Sequence, residues 1–316
     1  MEYRKLGNSD LEVSVIGLGT WAIGNDFWGP ADDAESIRAI QAGIDAGINL
    51  VDTAPAYGGG HSEKVVGDAV RGRRDNVVLA TKVGVIKEKG KFIRTLEPEA
   101  MQKQLEDSLK LLQTDVIDLY QIHWPVAKHS EEEALKLMVK MQEAGKIRYI
   151  GVSNFGVPLL KQCLKAADIV SLQPPFSLLK QDITTEILPF CMEHNIGILG
   201  YGSLAGGLLT GKFREVPQFT AGDNRKKFYN FYNKETWPLL QQFLDVLRNI
   251  GEKRGRPAAH VAINWSIQQP GISSALVGAR NAEQARSNAA AAEWKLSAEE
   301  LQRIDTAHKE FIAGNF

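Results

Sequence analysis

Short apolar segments alternate with longer amphipathic segments along most of the chain. Residues 98–112, for example, place Met101, Leu105 and Leu109 on one helical face, and the apolar segment 116–123 follows. Gly or Asn commonly stands where the amphipathic pattern stops, which is typical of a helix end. The apolar segments show no clean alternation of polar and apolar residues, as expected for strands covered on both faces. The pattern predicts helices that alternate with the strands of a parallel sheet.

Eight strands and eight helices of this kind are predicted. The strands cover residues 15–20, 48–52, 77–82, 116–123, 147–153, 169–173, 196–201 and 273–277. The helices cover residues 32–46, 63–71, 98–112, 131–144, 157–167, 183–194, 257–268 and 281–292. Eight units favour an α/β fold of the closed (β/α)8 type, the TIM barrel. The alternative is an open doubly wound sheet, but its G-x-G-x-x-G fingerprint does not follow the first strand, where G-L-G-T-W-A stands.

Four segments lie outside the eightfold pattern of a single domain that we expect to span residues 1–316. Residues 1–14 predict an N-terminal β-hairpin around a Gly-Asn-Ser turn. Residues 235–254 and 297–313 predict two extra helices, the second of them at the C-terminus. Residues 213–234 are the least regular segment, and a loop this long in a compact domain is usually functional.

Composition and charge narrow the class of protein. Hydrophobic residues make up 44% of the chain, charged residues 24%, and the net charge is -1. This balance is typical of a globular protein and gives no electrostatic case for a nucleic acid or an anionic membrane as partner. No apolar run approaches the ~18 residues of a membrane span. The charged residues of segment 1–15 exclude the apolar core of a signal peptide there. Cys163 and Cys191 stand alone, so neither a disulfide framework nor a metal site is predicted. We expect a cytoplasmic protein, monomeric or weakly oligomeric.

Chemically distinctive residues end the second to the eighth predicted strands. They are Asp52, Lys82, His123, Ser153 with Asn154, Gln173, Tyr201 and Gly278. Active sites of such barrels lie at the carboxyl ends of the strands. Each residue alone also has a structural explanation, such as an Asx turn at Asp52 or a hydrogen-bonded core histidine at His123. Their coincidence predicts an active site at this end of the barrel.

Tyr57 follows Asp52 closely and completes a set suited to protonating a carbonyl oxygen. We expect Tyr57 to be the general acid, with a pKa lowered by ~2–3 units by the Lys82 ammonium. Asp52 would hold that ammonium charged and in place, and His123 would orient the substrate oxygen through a hydrogen bond. An aromatic pocket that suits aldehydes and small ketones would lie above them. Its residues would be Trp21, Phe27, Trp28, Tyr57, His123 and Trp124, with Phe228 or Tyr229 from the long loop.

The chain resembles the aldo-keto reductase superfamily over nearly its full length. The motifs that carry the resemblance are G-L-G-T-W (17–21), D-T-A-P-A-Y-G (52–58), A-T-K (80–82), Q-I-H-W-P (121–125), G-K-I-R-Y-I-G-V-S-N-F (145–155), L-A-G-G-L-L-T-G-K (204–212) and G-A-R (278–280). Within the superfamily the chain looks most like the bacterial general-stress and inositol-operon reductases, and more distantly like potassium-channel β subunits. The resemblance implies an NAD(P)H-dependent reductase with Asp52, Tyr57, Lys82 and His123 as its catalytic tetrad.

The resemblance also implies a cofactor that lies extended across the barrel mouth, beside residues 213–234. Ser153, Asn154 and Gln173 would hold the nicotinamide carboxamide, and Tyr201 would stack on the ring. Further contacts would come from Thr20, Trp21 and Asp52 near the nicotinamide ribose, from Gly202, Ser203, Leu204, Ala205, Gly206 and Lys212 at the pyrophosphate, and from Gly278, Ala279, Arg280, Gln284 and Asn288 at the adenosine end. The positive charges of Arg280 and Lys212 favour NADPH over NADH as the cofactor.

Two residues depart from the family pattern at the adenosine end. Gln284 stands where many members carry Arg, and Ser287 stands where an acidic residue is usual. Gln284 also fits a helix cap together with Asn281.

Other functions stay open for the same sequence. One is a nucleotide-sensing regulatory subunit with slow reductase turnover. Another is a Schiff-base lyase on the same barrel, with Lys82 as nucleophile. The G-x-x-x-x-G-K pattern at residues 206–212 is a weak argument for ATP hydrolysis, because Phe213 stands where Ser or Thr must reach magnesium.

Overall fold

The structure is a computed structural model that describes residues 1–25, 28–88, 90–126, 130–219, 223, 225 and 231–314. Its strands are β1 Tyr3–Lys5, β2 Glu12–Ser14, β3 Ile16–Gly19, β4 Leu50–Asp52, β5 Val78–Val83, β6 Val85–Glu88, β7 Lys91–Arg94, β8 Ile117–Ile122, β9 Ile147–Ser153, β10 Ile169–Gln173, β11 Gly197–Gly200 and β12 Ile272–Gly278. Its α-helices are α1 Asp33–Asp45, α2 His61–Val70, α3 Pro98–Leu112, α4 Glu131–Glu143, α5 Val157–Cys163, α6 Ile187–Glu193, α7 Trp237–Lys253, α8 Ala258–Gln268, α9 Ala282–Ala290 and α10 Ala298–Phe311. Short 3₁₀ segments lie at Trp21–Gly24, Arg74–Asn76, Asp182–Thr184, Ala205–Thr210 and Ala291–Glu293.

Eight parallel strands close into a barrel in the order β3, β4, β5, β8, β9, β10, β11, β12. The ring closes where β12 pairs with β3, with Gly278 opposite Gly19. Both faces of the strands are covered, and every residue of β5 is buried. The predicted (β/α)8 barrel is therefore confirmed, together with the N-terminal hairpin β1–β2 and the extra helices α7 and α10.

The inside of the barrel is filled by a small apolar cluster that the N-terminal segment closes from below. Leu6 and Val13 pack there with Val78 of β5, and all three are buried. Side chains alternate between the two faces of a strand, so Lys82 shares the inner face with Val78. The apolar cluster thus forms a floor beneath the polar ends of the strands.

Several helices begin and end at capping groups that the sequence supplies. The Asp32 carboxylate accepts a hydrogen bond from the Glu35 backbone N–H at 2.7 Å before α1. Ser297 and Glu300 form a reciprocal capping box at the start of α10. Helix α3 ends at Gln113, whose φ of 55° lies in the left-handed region. These caps satisfy backbone groups that the helices leave without partners.

Two elements differ from the sequence prediction. The antiparallel hairpin β6–β7, which follows β5 and turns at Gly90 with a φ of 77°, was not predicted. The predicted helix at residues 183–194 is split into the 3₁₀ turn Asp182–Thr184 and the helix α6. Pro189 explains the split, because it lacks the N–H that a continuous helix needs and its ring clashes with the preceding turn.

A buried carboxylate ties strands together at the end of the barrel opposite the strand ends discussed above. Asp118 of β8 accepts a hydrogen bond from the Leu79 backbone N–H at 2.8 Å. It also pairs with Arg74 at 2.7 Å and with Arg148 at 3.0 Å. Asp118, Arg74 and Arg148 line a cleft of about 1090 Å³. Because both arginines are already paired with Asp118, we interpret this cluster as a structural clamp.

The sequence also led to expectations about membrane spans, the two cysteines and metal sites. In the part of the chain that the structure describes, no helix is long and apolar enough to cross a membrane. Cys163 and Cys191 are free and buried, and burial raises the pKa of each thiol to about 12. Both therefore remain protonated at neutral pH and are poor nucleophiles. Within the described ranges, no group of three His, Cys, Asp or Glu side chains could hold a metal ion.

Candidate active site

The ends of three neighbouring strands and the loop after β4 bring four polar side chains together. Asp52 ends β4, Lys82 lies near the end of β5, and His123 directly follows β8. Tyr57 lies in the loop after β4, and its ring meets the His123 ring edge to face at a centroid distance of 5.8 Å. The structure thus places the four predicted tetrad residues in one pocket.

The Lys82 ammonium is the centre of this group. Its Nζ atom donates to Asp52 Oδ2 at 2.7 Å and to the Thr53 carbonyl at 2.9 Å, and it lies 3.3 Å from the Tyr57 hydroxyl. The Lys82 side chain is 1% exposed and the Asp52 side chain 4%. An ammonium has three N–H donors, so these contacts occupy all of them. This arrangement disfavours the Schiff-base lyase, which needs a free amine.

Asp52 is held by more than its ion pair. Its Oδ1 atom accepts a hydrogen bond from Gln173 Nε2 at 2.8 Å and another from Gln121 Nε2 at 3.3 Å. Gln121 is fully buried and was not among the predicted site residues. The sequence carried the signal, because the predicted strand 116–123 places Gln121 and His123 two residues apart and so on the same face.

Burial dominates the protonation of this pocket. The pKa of Tyr57 is raised well above its ordinary value by burial and, secondarily, by the Asp52 charge. The expected lowering of the Tyr57 pKa is therefore wrong for this pocket, since the Lys82 charge is already balanced by Asp52. Burial also lowers the pKa of Lys82. The pKa of His123 is lowered well below its ordinary value by burial, then by Lys82 and Arg94. At neutral pH Tyr57 is a neutral phenol and His123 a neutral imidazole.

Next to the tetrad, four further predicted residues contact one another at the ends of β9, β10 and β11. The Ser153 hydroxyl donates to the Gln173 carbonyl at 2.8 Å. Asn154 donates to the His123 carbonyl at 3.1 Å and accepts from the Tyr201 hydroxyl at 3.0 Å. These contacts fix the Asn154 amide and the Tyr201 ring along one wall of the cavity, and the Gln173 amide is held there by its hydrogen bond to Asp52.

Aromatic side chains form the opposite wall. The Trp21 ring stacks on Tyr57 at a centroid distance of 6.2 Å and meets Trp28 edge to face at 5.4 Å. Trp124 follows His123 and lines the same cavity. Phe27, Phe228 and Tyr229, which were also predicted for the pocket, lie outside the described residues.

A glycine-rich turn after β11 lines the middle of the cavity. Gly206 and Gly207 have φ angles of 67° and 95°, which side chains rarely tolerate. The turn exposes its backbone to the cavity, together with the Lys212 side chain. The predicted residues Gly202, Ser203, Leu204, Ala205, Gly206 and Lys212 all line it. The Ser203 hydroxyl is buried and donates to the Leu276 carbonyl at 3.1 Å, so it anchors the turn to the barrel.

The start of α9 forms the far end of the cavity. The Asn281 side chain accepts a hydrogen bond from the Gln284 backbone N–H at 2.9 Å. This is the helix cap that the sequence offered as another role for these two residues. Gln284 Oε1 in turn accepts from the Arg280 backbone N–H at 2.9 Å. Asn288 is buried and donates to the Gly278 carbonyl at 3.1 Å. These residues line the cavity, whereas Ala279 is buried behind its wall.

Arg280 connects this far end to the loop after β3, and Thr20 connects the same loop to Asp52. Arg280 Nη2 donates to the carbonyls of Trp28 at 3.1 Å and Pro30 at 2.9 Å. The Thr20 hydroxyl donates to the Asp52 carbonyl at 2.9 Å. The loop after β3 therefore touches both the tetrad and the far end.

One elongated cavity of about 1250 Å³ joins the tetrad, the glycine-rich turn and the start of α9. Arg280 and Lys212 have no carboxylate within ion-pair distance among the described residues, and the N-terminus of α9 adds a partial positive charge. Unpaired positive charge at one end and amide and aromatic groups at the other fit a nicotinamide dinucleotide. Fold and site together define a barrel oxidoreductase.

Comparison with known proteins agrees with this class. The family model for the aldo/keto reductase family matches residues 15–309. The aldo-keto reductase YhdN of Bacillus subtilis is 39% identical over 312 residues, covering 97% of this chain and 93% of the relative. The structure of the glycerol dehydrogenase AKR11B4 of Gluconobacter oxydans matches with a TM-score of 0.90 at 36% identity. The match covers 98% of this chain and 96% of that structure. An aldo/keto reductase from Klebsiella pneumoniae, solved with NADP and acetate, has a TM-score of 0.75 at 31% identity, covering 95% and 93%.

The chain belongs to the aldo/keto reductase family. It is an NAD(P)H-dependent oxidoreductase that reduces carbonyl groups. The resemblance inferred from the sequence motifs is thereby confirmed.

A buried carboxyl group behind the tetrad gives a prediction for stability. Glu63 of α2 is fully buried, and the hydroxyl of Thr81, the neighbour of Lys82, donates to its Oε1 atom at 2.7 Å. Burial raises the pKa of Glu63 from 4.5 to about 7, although the Thr81 hydrogen bond opposes the shift. The folded state therefore holds the Glu63 proton more tightly than the unfolded state does.

We expect Glu63 to make the protein less stable as pH rises from about 4.5 to about 7. The protonated group contributes fully to the free energy of unfolding below the pKa of Glu63 in the unfolded state. This contribution, ~3 kcal/mol at most, is lost as pH rises through the pKa of Glu63 in the folded state. Glu63→Gln should remove this slope in urea unfolding measured across the window. Asp68→Asn, on the same helix, is the control. Lys64 lowers the pKa of Asp68, so Asp68 changes the free energy of unfolding at lower pH, outside this window. An unchanged slope in Glu63→Gln would contradict the assignment.

Proposed function

We propose that the protein reduces aldehydes and small ketones to alcohols with NADPH, using Tyr57 as the general acid. The observation that carries the proposal is the Lys82 ammonium, which contacts both Asp52 and the Tyr57 hydroxyl, two groups that line a cavity of about 1250 Å³. A bound NADPH supplies the hydride that reduces the carbonyl carbon.

The side chains of the pocket have complementary tasks. Tyr57 donates its proton to the carbonyl oxygen, and it is protonated at neutral pH, since burial raises its pKa above an ordinary value that already lies well above neutral pH. Lys82 stabilises the phenolate that remains, and Asp52 keeps the ammonium in position. His123 orients the carbonyl oxygen as a neutral hydrogen-bond donor, since its lowered pKa prevents it from carrying a charge.

The cofactor residues follow from the groups that face the cavity. Ser153, Asn154 and Gln173 would hold the carboxamide of the nicotinamide, and Tyr201 would lie against its ring. The glycine-rich turn with Lys212 would hold the pyrophosphate, and the start of α9 with Arg280 would hold the adenosine end. Thr20 and Trp21 would border the nicotinamide ribose, with Gly278, Gln284 and Asn288 completing the adenosine end.

We expect a higher kcat/KM with NADPH than with NADH. Arg280 is exposed, and among the described residues its guanidinium donates hydrogen bonds only to backbone carbonyls. No carboxylate neutralises it there, so its charge is available to a phosphate. Arg280→Met should weaken NADPH binding about tenfold, in line with ~1.5–3 kcal/mol for charged hydrogen bonds, and should weaken NADH binding less. Fluorescence titration of both cofactors tests this directly. A wild-type preference for NADH would rule out the assignment.

A screen of NADPH oxidation across aldehydes and small ketones tests the activity itself. Cofactor oxidation should match alcohol formation mole for mole, and aldehydes should react faster than ketones because their carbonyl carbon is less hindered. Slow turnover across the whole panel would instead favour the nucleotide-sensing subunit. Absence of any cofactor oxidation would refute the proposal.

We propose a cytoplasmic location and a monomer or weak oligomer as the working state. Both cysteines are free thiols, as expected in a reducing compartment. Large hydrophobic side chains that are exposed in the described part of the chain are few, namely Tyr3, Phe92, Ile93 and Met192. Such a surface offers little apolar area for a large permanent interface.

A further inference from the structure

The hairpin β6–β7 stands at the mouth of the cavity, on the side of the tetrad. Three of its residues, Val85, Phe92 and Arg94, line the cavity together with His123 and Trp124. The hairpin continues directly from β5, which carries Lys82. It is thus placed to contact the part of a substrate that projects away from the carbonyl group.

Arg94 is a charged residue of the hairpin that lines this mouth. Its guanidinium lies 4.6 Å from the centroid of the Trp124 ring, and the side chain is exposed. Among the described residues, no carboxylate lies within ion-pair distance of Arg94 and its guanidinium donates no hydrogen bond. Stacking on an aromatic face leaves the N–H groups at the edge of the guanidinium plane free for a planar anion.

The surroundings of Arg94 do not neutralise its charge. Two of the acidic side chains that line the cavity are already paired, Asp52 with Lys82 and Asp182 with Lys180. The third such side chain in the described part of the lining, Glu283, lies on α9 at the far end. The charge of Arg94 reaches the tetrad, since it contributes to the lowered pKa of His123.

The sequence of the hairpin adds to this field. Residues 85–94 read V-I-K-E-K-G-K-F-I-R, with four basic residues and one acidic residue, in a chain whose net charge is -1. A local excess of positive charge beside a cleft raises the concentration of anionic ligands there. The charge of the whole hairpin and the Arg94 guanidinium therefore both favour anionic substrates.

We propose that Arg94 forms an anion subsite, so that the preferred substrates are aldehydes or ketones that carry a carboxylate or phosphate group at the end remote from the carbonyl. The proposal rests on the proposed reductase function. Arg94 binds the anion through charge-assisted hydrogen bonds, and Trp124 holds the guanidinium in plane. The subsite acts on substrate binding and leaves the protonation chemistry to the tetrad.

Matched substrates test the subsite. We expect kcat/KM to be about tenfold higher for 4-formylbenzoate than for the neutral 4-formylbenzamide, mainly through KM. Arg94→Met should abolish that ratio, and Arg94→Lys should retain part of it. Lys91→Met is the control, because Lys91 belongs to the same hairpin but does not line the cavity, and it should leave the ratio unchanged. D-glyceraldehyde 3-phosphate against D-glyceraldehyde shows whether phosphate is accepted as well as carboxylate.

A binding measurement separates this inference from the proposed function. Quenching of tryptophan fluorescence should give a dissociation constant about tenfold lower for benzoate than for benzamide, and the difference should vanish in Arg94→Met. This readout needs no turnover, so it stands even if no carbonyl is reduced. Equal binding of benzoate and benzamide by the wild type overturns the subsite, and so does an equal loss of the ratio in Lys91→Met. Inactivity on every carbonyl with the binding difference intact overturns only the reductase function.

Discussion

Replacing Tyr57 by Phe is expected to lower kcat at least a hundredfold. The substitution removes only the hydroxyl, which lies 3.3 Å from Lys82 Nζ, and keeps the ring that stacks on Trp21. General-acid catalysis contributes ~10²–10⁴ to a rate, so the loss should appear in kcat while KM changes little. Steady-state kinetics with one aldehyde and NADPH provide the measurement.

Two observations make the Tyr57→Phe result decisive. Fluorescence titration should show that the variant still binds NADPH, because the far end of the cavity is untouched. Tyr3→Phe is the matched control, since Tyr3 is an exposed tyrosine whose hydroxyl donates to the Gly47 carbonyl, and its kcat should equal that of the wild type. A Tyr57→Phe enzyme that keeps a tenth or more of the wild-type kcat would remove Tyr57 from its role.

Lys82→Met is expected to abolish activity and to destabilise the fold. The variant leaves the Asp52 carboxylate buried without its cation, at a site where both side chains are almost fully buried. Removing one partner of a buried ion pair costs ~3–5 kcal/mol. The hydrogen bonds from Gln173 and Gln121 to Asp52 should place the loss towards the lower end of that range. Urea unfolding gives the free energy, and the aldehyde assay gives the activity.

The double variant Asp52→Asn, Lys82→Met separates the two effects. With the carboxylate neutralised, no unpaired charge stays buried, and most of the lost free energy of unfolding should return. Activity should not return, because no ammonium is left beside Tyr57. Coupled residues in contact show interaction energies of ~0.5–3 kcal/mol. Strict additivity of the two single substitutions would show that the ion pair does not contribute to stability as described.

The sequence predicted the barrel and the position of the tetrad because both depend on local pattern. Short apolar strands repeat eight times, and the carboxyl ends of parallel strands meet at one rim, so Asp52, Lys82 and His123 had to lie near one another. Gln121 was missed because a polar residue inside an apolar strand was not assigned to the inner face. The period of two along β8 was sufficient to place it there.

Other features depend on packing that a local pattern does not show. The Tyr57 pKa was expected to fall on account of Lys82, but the degree of burial and the neutralising contact with Asp52 are properties of the folded pocket. The bond from Arg280 to the Trp28 carbonyl joins residues at opposite ends of the chain. Gly90 is a residue typical of a turn, but the strands of the hairpin β6–β7 lie outside the repeat of alternating strands and helices. The hairpin was therefore not predicted.

The clamp of Asp118 with Arg74 and Arg148 lies at the barrel end opposite the cavity. The ion pairs that hold these strands together are therefore distant from the loops that line the cavity. We expect substitutions in the clamp to lower the melting temperature and to leave the cavity intact. The rim of the cavity is thus free to vary in sequence without loss of the barrel that supports it.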